Sequence, residues 1–143
     1  MKAVESKTDS KRSTLRCVAA AVLILVCIAG LAWLAAPRFL VAQIRNDQVH
    51  WDGNYFGLAP QIRGTLPRLI FMRGRACVPY LIEALNDDSR FIAAHVYLSL
   101  LSRGGFQTSA EAFNGLRVEL YADGTTAIAP EQKQTLLTRW NSK

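Results

Sequence analysis

The sequence has few of the residues from which metal, redox and nucleotide sites are built. Its 143 residues include three cysteines and two histidines, and His50, Cys77 and His95 are too far apart for the spacing of metal ligands. No glycine-rich phosphate loop and no Gly-x-Ser-x-Gly elbow occurs. Five prolines, nine glycines and an apolar share of 50% exclude collagen-like and mostly disordered chains. We therefore expect no metal, no cofactor and no small-molecule site that a local motif would reveal.

Charge is absent from Cys17 to Pro37, an apolar run of 21 residues. As a helix with about 1.5 Å per residue it would be about 31 Å long, which matches a hydrocarbon core of about 30 Å. Trp33 lies near the end of the run, where an indole favours the membrane interface. The pattern predicts one transmembrane helix over residues 17–37, with the lipid bilayer as its partner.

The basic residues on the two sides of this run predict its orientation. Five Lys and Arg residues lie in residues 1–16, whereas Arg38 and Arg45 are the two that follow within the next 15 residues. The positive-inside bias then makes residues 1–16 a basic cytoplasmic tail of a single-pass cell-membrane protein and puts the rest of the chain outside. The remaining positive charge is spread thinly over 38–143, so nucleic acid is not an expected partner.

A cleaved signal peptide has a similar layout, with a basic segment before an apolar one. The best small-x-small cleavage site is Gly30-Leu31-Ala32, but apolar residues continue beyond it through Ala35. This favours an uncleaved anchor, and a secreted domain is the alternative.

Residues 38–57 are interpreted as a juxtamembrane segment and 58–143 as an exported α-rich domain. Turn-forming residues predict a break over 50–54, and Leu66, Leu69, Ile70 and Arg73 predict a short helix. The next helix is predicted from an apolar stripe at helical spacing, namely Val78, Leu81, Ile82 and Leu85. After a turn in which Asp88 or Ser89 is expected to act as the cap, Arg90–Ser102 is apolar nearly all round, which predicts the central helix of the domain.

Residues 74–104 resemble one HEAT-type repeat. Val78-Pro79 and the apolar stripe are followed by a turn that contains aspartate and then by a helix with Ala94 and Leu98. HEAT repeats are helical hairpins that stack into protein-binding solenoids, and no second copy is visible here. The resemblance therefore implies one HEAT-like hairpin inside a small, mainly α-helical domain.

The last third of the chain is predicted to cover this hairpin of helices. Residues 109–113 suggest a helical turn, 116–128 a β-hairpin around Asp123-Gly124, and Pro130 the start of a closing helix. We expect one buried cluster formed by Val78, Leu81, Ile82, Leu85, Phe91, Ala94, Leu98 and Leu101, with Trp140 nearby.

The function predicted from these features is a membrane-anchored, non-catalytic interaction or structural role, with another protein as partner. Tyr80, Arg90 and Tyr97 border the apolar stripe and are the candidate partner-binding residues. The alternative is an enzyme with a site around His95, which is more simply a core histidine bonded to a backbone carbonyl or an acid.

Three further features have a structural and a functional interpretation. Cys77 is expected to be a small core side chain. Asp87 and Asp88, with Glu83 nearby, suit a turn and a helix cap better than a cation site. The arginine-rich stretch 63–75 is either a solvated face or a contact with anionic lipid head groups.

Overall fold

The structure is a computed structural model that describes residues 5–54, 57–102, 113–123 and 125–142. These residues form a mainly helical chain, as the sequence predicts, with two small antiparallel β-hairpins where the sequence predicts one. The α-helices among them are α1 (Glu5–Ala42), α2 (Thr65–Arg73), α3 (Val78–Ala84), α4 (Phe91–Leu101) and α5 (Pro130–Asn141). The strands are β1 (Val49–Asn54), β2 (Gly57–Ile62), β3 (Glu119–Leu120) and β4 (Thr126–Ala127).

Helix α1 includes the whole uncharged run and continues past Pro37 to Ala42. The chain divides between Ala36 and Pro37 into two compact units. In the part of the chain that the structure describes, no single helix is long and apolar enough to cross a membrane. Two consecutive helical pieces, Val18–Gly30 and Ala35–Ala42, together have the length and the apolar composition that crossing a membrane requires.

The first β-hairpin was not predicted from the sequence. Strands β1 and β2 pair over six residues each, with Val49 opposite Ile62 and Trp51 opposite Pro60. The predicted break over 50–54 is therefore wrong: these residues lie in a strand, and the chain reverses between Asn54 and Gly57. Pro60 has no N–H to donate, and it is tolerated because a two-stranded sheet has only edge strands.

The second β-hairpin was predicted and is confirmed. Glu119 pairs with Ala127 and Leu120 with Thr126, so the paired strands are shorter than the predicted 116–128. The predicted helical turn over 109–113 lies largely outside the described residues.

The helical hairpin predicted over 74–104 is formed by α3 and α4, which contact each other. A short 3₁₀ segment, Gly74–Cys77, leads into α3, and Pro79 lies in the first turn of that helix. All eight residues from Phe91 to Leu98 are buried, so α4 is the central helix, as its all-round apolar character predicts.

The hydrophobic core contains most of the cluster predicted from the sequence. Six of those residues are buried in it, namely Leu81, Leu85, Phe91, Ala94, Leu98 and Trp140, whereas Val78, Ile82 and Leu101 are partly buried against it. Cys77 is buried as expected. Val41 and Ile44, which were not predicted to be core residues, bring the chain around the end of α1 into the core.

Candidate functional site

A pocket of about 210 Å³ brings together two of the three candidate partner-binding residues, Tyr80 and Arg90. Tyr80 lies on α3, Arg90 immediately precedes α4, and both side chains are partly exposed. The other residues of this Tyr80–Arg90 pocket are Arg38, Val41, Ala42, Glu83 and Ala84. Its walls therefore come from the end of α1 as well as from the helical hairpin.

Arg90 is held in the pocket by an ion pair. Its Nε donates to Oδ2 of Asp87 over 2.7 Å. The other carboxylate oxygen, Oδ1, accepts hydrogen bonds from the Ser89 hydroxyl at 2.6 Å and the Ser89 N–H at 2.9 Å. The Ser89 hydroxyl first, and then Arg90, lower the pKa of Asp87 to about 2. Asp87 is therefore ionised at neutral pH and fixes the position of the guanidinium group.

Asn46 connects the chain that follows α1 to the helical hairpin. Its Oδ1 accepts hydrogen bonds from the N–H groups of Ile92 at 2.9 Å and Ala93 at 3.2 Å. Its Nδ2 donates to the Asp88 carbonyl at 2.6 Å, and its own N–H donates to the Ser89 carbonyl at 2.9 Å. Asn46 thus satisfies N–H groups in the first turn of α4 that have no partner within the helix.

This contact corrects the sequence prediction that Asp88 or Ser89 caps α4. The residue before the helix is Arg90, and it makes no side-chain capping bond. The cap comes instead from a residue 46 positions before Ile92. Because no local pattern marks a cap supplied by a distant residue, the sequence gives no signal for the role of Asn46. The cap and the pocket share one cause, which is the placement of the end of α1 and of the chain directly after it against the hairpin.

Tyr97, the third candidate, does not reach the Tyr80–Arg90 pocket. It is 1% exposed and lies in the core, with its ring centroid 5.9 Å from that of Phe71. Its hydroxyl has no hydrogen-bond partner among the described residues, and burial raises its pKa to about 12. The expectation that Tyr97 borders a surface groove is therefore wrong, because α4 is covered on this side too.

His95 is fully buried, as expected for a core histidine. Trp140 Nε1 donates to His95 Nδ1 at 3.1 Å, and His95 Nε2 lies 3.2 Å from the carbonyl oxygen of Phe113. Because an indole N–H only donates, Nδ1 must accept, and the proton of the neutral ring is on Nε2. Burial lowers the pKa of His95 to about 4 against the opposing effect of the carbonyl contacts. Both ring nitrogens are occupied, which favours a structural role over the alternative of catalysis.

An acidic cleft of about 750 Å³ lies between the two β-hairpins and has Asp47, His50, Asp52 and Asp123 in its lining. Asp123 accepts hydrogen bonds from the Thr125 N–H at 2.9 Å and hydroxyl at 2.7 Å, which lower its pKa. Within the described residues, no three His, Cys, Asp or Glu side chains are grouped so that they could hold a metal ion. The position of Asp123 is explained by the turn that it stabilises.

No protein-family model, curated protein or solved structure matches the chain. The HEAT-type resemblance is therefore supported only by the sequence of residues 74–104 and stays a prediction. The Tyr80–Arg90 pocket is the candidate site because it combines exposed aromatic and charged side chains with a fixed geometry.

Proposed function

We propose that the protein is a membrane-anchored, non-catalytic interaction module. In this proposal residues 1–16 are cytoplasmic, 17–37 cross the cell membrane, and 38–143 lie outside and bind another protein. The proposal is supported by the uncharged run of 21 residues and by the five basic residues that precede it. The helical pieces Val18–Gly30 and Ala35–Ala42, which together have the length and apolar composition of a membrane span, are compatible with it.

The observation that carries the proposal is the composition of the Tyr80–Arg90 pocket. Arg38, directly after the uncharged run, lines the same pocket as Tyr80 and Arg90. A partner bound in this pocket would be held beside the membrane surface, where the anchor raises the local concentration of the module. Tyrosine and arginine are residue types that dominate the binding energy of many protein interfaces.

The finer fold in this proposal is a single HEAT-type hairpin formed by α3 and α4. In a solenoid, neighbouring repeats bury the faces of such a hairpin. Here α5 supplies Leu136 and Trp140 to the same core, the last turn of α1 supplies Val41, and the chain after α1 supplies Ile44. In the proposal, these segments replace the neighbouring repeats, so the module works as one unit and not as an extended scaffold.

Reporter fusions at the C-terminus test the proposed topology. We expect activity from a reporter that works only outside the cytoplasm, and none from one that works only inside. The reverse result would overturn the orientation. A mature chain that begins near Trp33 would instead show that the apolar run is a cleaved signal peptide.

Crosslinking in native membranes tests the pocket. A photoreactive amino acid replaces Glu83, which lines the pocket, and the captured protein is identified by mass spectrometry. Capture of one defined protein should be lost with Tyr80→Ala and with Arg90→Gln. Tyr121→Ala is the matched control, because Tyr121 is 50% exposed on the second β-hairpin and is not in the pocket. Equal capture by all variants would contradict a role for the pocket.

A further inference from the structure

Helix α2 exposes apolar side chains outside the buried core, although the ring of Phe71 also contacts the buried Tyr97. Only Pro67 and Ile70 of this helix are buried. Met72 is 81% exposed, and Leu69 and Phe71 are each 40% exposed. We define Leu69, Phe71 and Met72, together with the exposed arginines Arg68 and Arg75, as the α2 surface.

The chain around the α2 surface is basic and contains no acid. Between Asp52 and Glu83 there is no Asp or Glu, whereas four arginines occur, namely Arg63, Arg68, Arg73 and Arg75. Arg63 lies 4.0 Å from Asp52, and both of these side chains are exposed. A weakly paired, solvent-exposed ion pair contributes little, so the segment presents a positive field to its surroundings.

We propose that the α2 surface docks onto the anionic phospholipid head groups of the membrane that anchors the chain. Arginines beside exposed apolar side chains, as on α2 and the 3₁₀ segment that follows it, are typical of segments that lie in a membrane interface. The arginines are attracted by anionic lipids, and the apolar side chains enter the boundary between head groups and acyl chains. A fluid surface accepts the protruding Met72 without a matching cavity. The inference depends on the proposed anchor, which keeps the domain close to the bilayer.

Hydrogen–deuterium exchange on the full-length protein tests this inference. The protein is reconstituted into lipid nanodiscs made of phosphatidylcholine alone or of phosphatidylcholine with phosphatidylglycerol. We expect slower exchange over Thr65–Arg73 in the discs that contain phosphatidylglycerol. The protection should decrease as salt is added, since salt screens exposed charges.

The decisive variant is Arg68→Gln with Arg75→Gln. Each arginine beside an anionic surface contributes about a fivefold factor to binding, so the double variant should weaken docking about 25-fold. The matched control is Arg117→Gln with Arg139→Gln, which removes the same charge from exposed positions outside the α2 surface. Met72→Ser should also reduce protection, whereas Leu120→Ser, at a residue that is 49% exposed on the second β-hairpin, should not.

Two failures can be told apart. A chain that does not stay with the nanodisc through an alkaline wash would contradict the proposed anchor. A chain that stays inserted but shows equal exchange over Thr65–Arg73 in both lipids would overturn docking by α2. Equal loss of protection in both arginine double variants would also overturn it, because the effect would then follow net charge and not the α2 surface.

Discussion

Helices α2 and α4 are both rich in apolar residues, but they are covered very differently. Every residue from Phe91 to Leu98 in α4 is buried, whereas α2 buries two of its nine residues and exposes Met72 almost completely. The difference comes both from composition, since α2 carries Arg68 and Arg73 whereas α4 carries no Lys, Arg, Asp or Glu, and from the segments packed around each helix. Helix α4 is enclosed by α3, by α5 and by the chain that follows α1, and α2 contributes to the core mainly through Ile70. An apolar residue stabilises the fold only where other segments remove it from water.

The largest effect on stability should come from Leu98 in α4, and Leu69 in α2 provides the comparison. Leu98→Ala in α4 should lower the free energy of unfolding by about 2–5 kcal/mol, because it leaves a cavity in a close-packed core. Leu69→Ala in α2 should cost less than about 1 kcal/mol, because this side chain is 40% exposed. Chemical denaturation of the full chain in detergent measures both. Equal losses would show that the two helices are covered to the same extent.

The stability of the fold should depend on pH because His95 is buried in α4. Its pKa is about 4 in the folded chain against 6.5 in the unfolded chain, so the unfolded state takes up the proton first as pH falls. Stability that is fully present above pH 6.5 should therefore be lost progressively towards pH 4, by about 3 kcal/mol in total.

Denaturation curves between pH 4 and pH 7 check this prediction. His95→Gln should be less stable at neutral pH but nearly insensitive to pH over that range, since glutamine does not titrate. His50→Gln, which removes a histidine from an exposed position, is the control for the substitution itself. If the unfolding free energy of His95→Gln depended on pH as strongly as that of the wild type, His95 would not be the source of the pH dependence.

A smaller effect is expected from the cap of α4. Asn46→Ala removes the acceptor for the N–H groups of Ile92 and Ala93 and should cost about 1–2 kcal/mol. Asn46→Asp keeps the acceptor oxygens but loses the Nδ2 donor to the Asp88 carbonyl, so it should recover only part of that loss. Asn86→Ala, which removes an exposed asparagine that bonds a carbonyl three residues away, is the control and should cost less. Thermal unfolding of the three variants would contradict the capping role if Asn46→Asp were as unstable as Asn46→Ala.

The smallest effect should be that of Met72→Ser. With 81% of this side chain exposed, the change in the free energy of unfolding should stay within about 0.5 kcal/mol. Chemical denaturation in neutral detergent measures it without an anionic surface. A large loss would mean that Met72 contributes to the core, and the contrast between α2 and α4 would then disappear.

The parts of the fold that could be predicted from the sequence are those with a local cause. The apolar stripe of α3, the all-round apolar α4 and the proline at the start of α5 each lie within one segment, and the structure has these helices. Strand β1 was missed because Asp52 and Gly53 are disfavoured in strands. Its pairing with β2 depends on a partner strand, which no single segment specifies.

The candidate site was only partly predictable for the same reason. Tyr80, Arg90 and Tyr97 were identified as residues that border an apolar stripe. For Tyr97 the prediction failed, because α4 is covered on that side as well. Arg38 and Asn46 were not identified, since their contacts with the hairpin are made across long stretches of chain. Residue type and periodicity indicate which faces of a helix are apolar, but they do not specify which distant segments pack against those faces.

The polar groups of α4 form hydrogen bonds with residues that lie both before and after the helix in the sequence. Asn46 is synthesised before the helix, so its cap is available as soon as α4 leaves the ribosome. The partner of His95 is Trp140, which is made 45 residues later. Until α5 emerges, His95 Nδ1 has no Trp140 to bind, and the side of α4 that packs against Leu136 and Trp140 is exposed to water. Completion of the domain is therefore tied to the translation of α5, and nascent chains stalled before Pro130 should be cut within α4 by a protease that spares the finished domain.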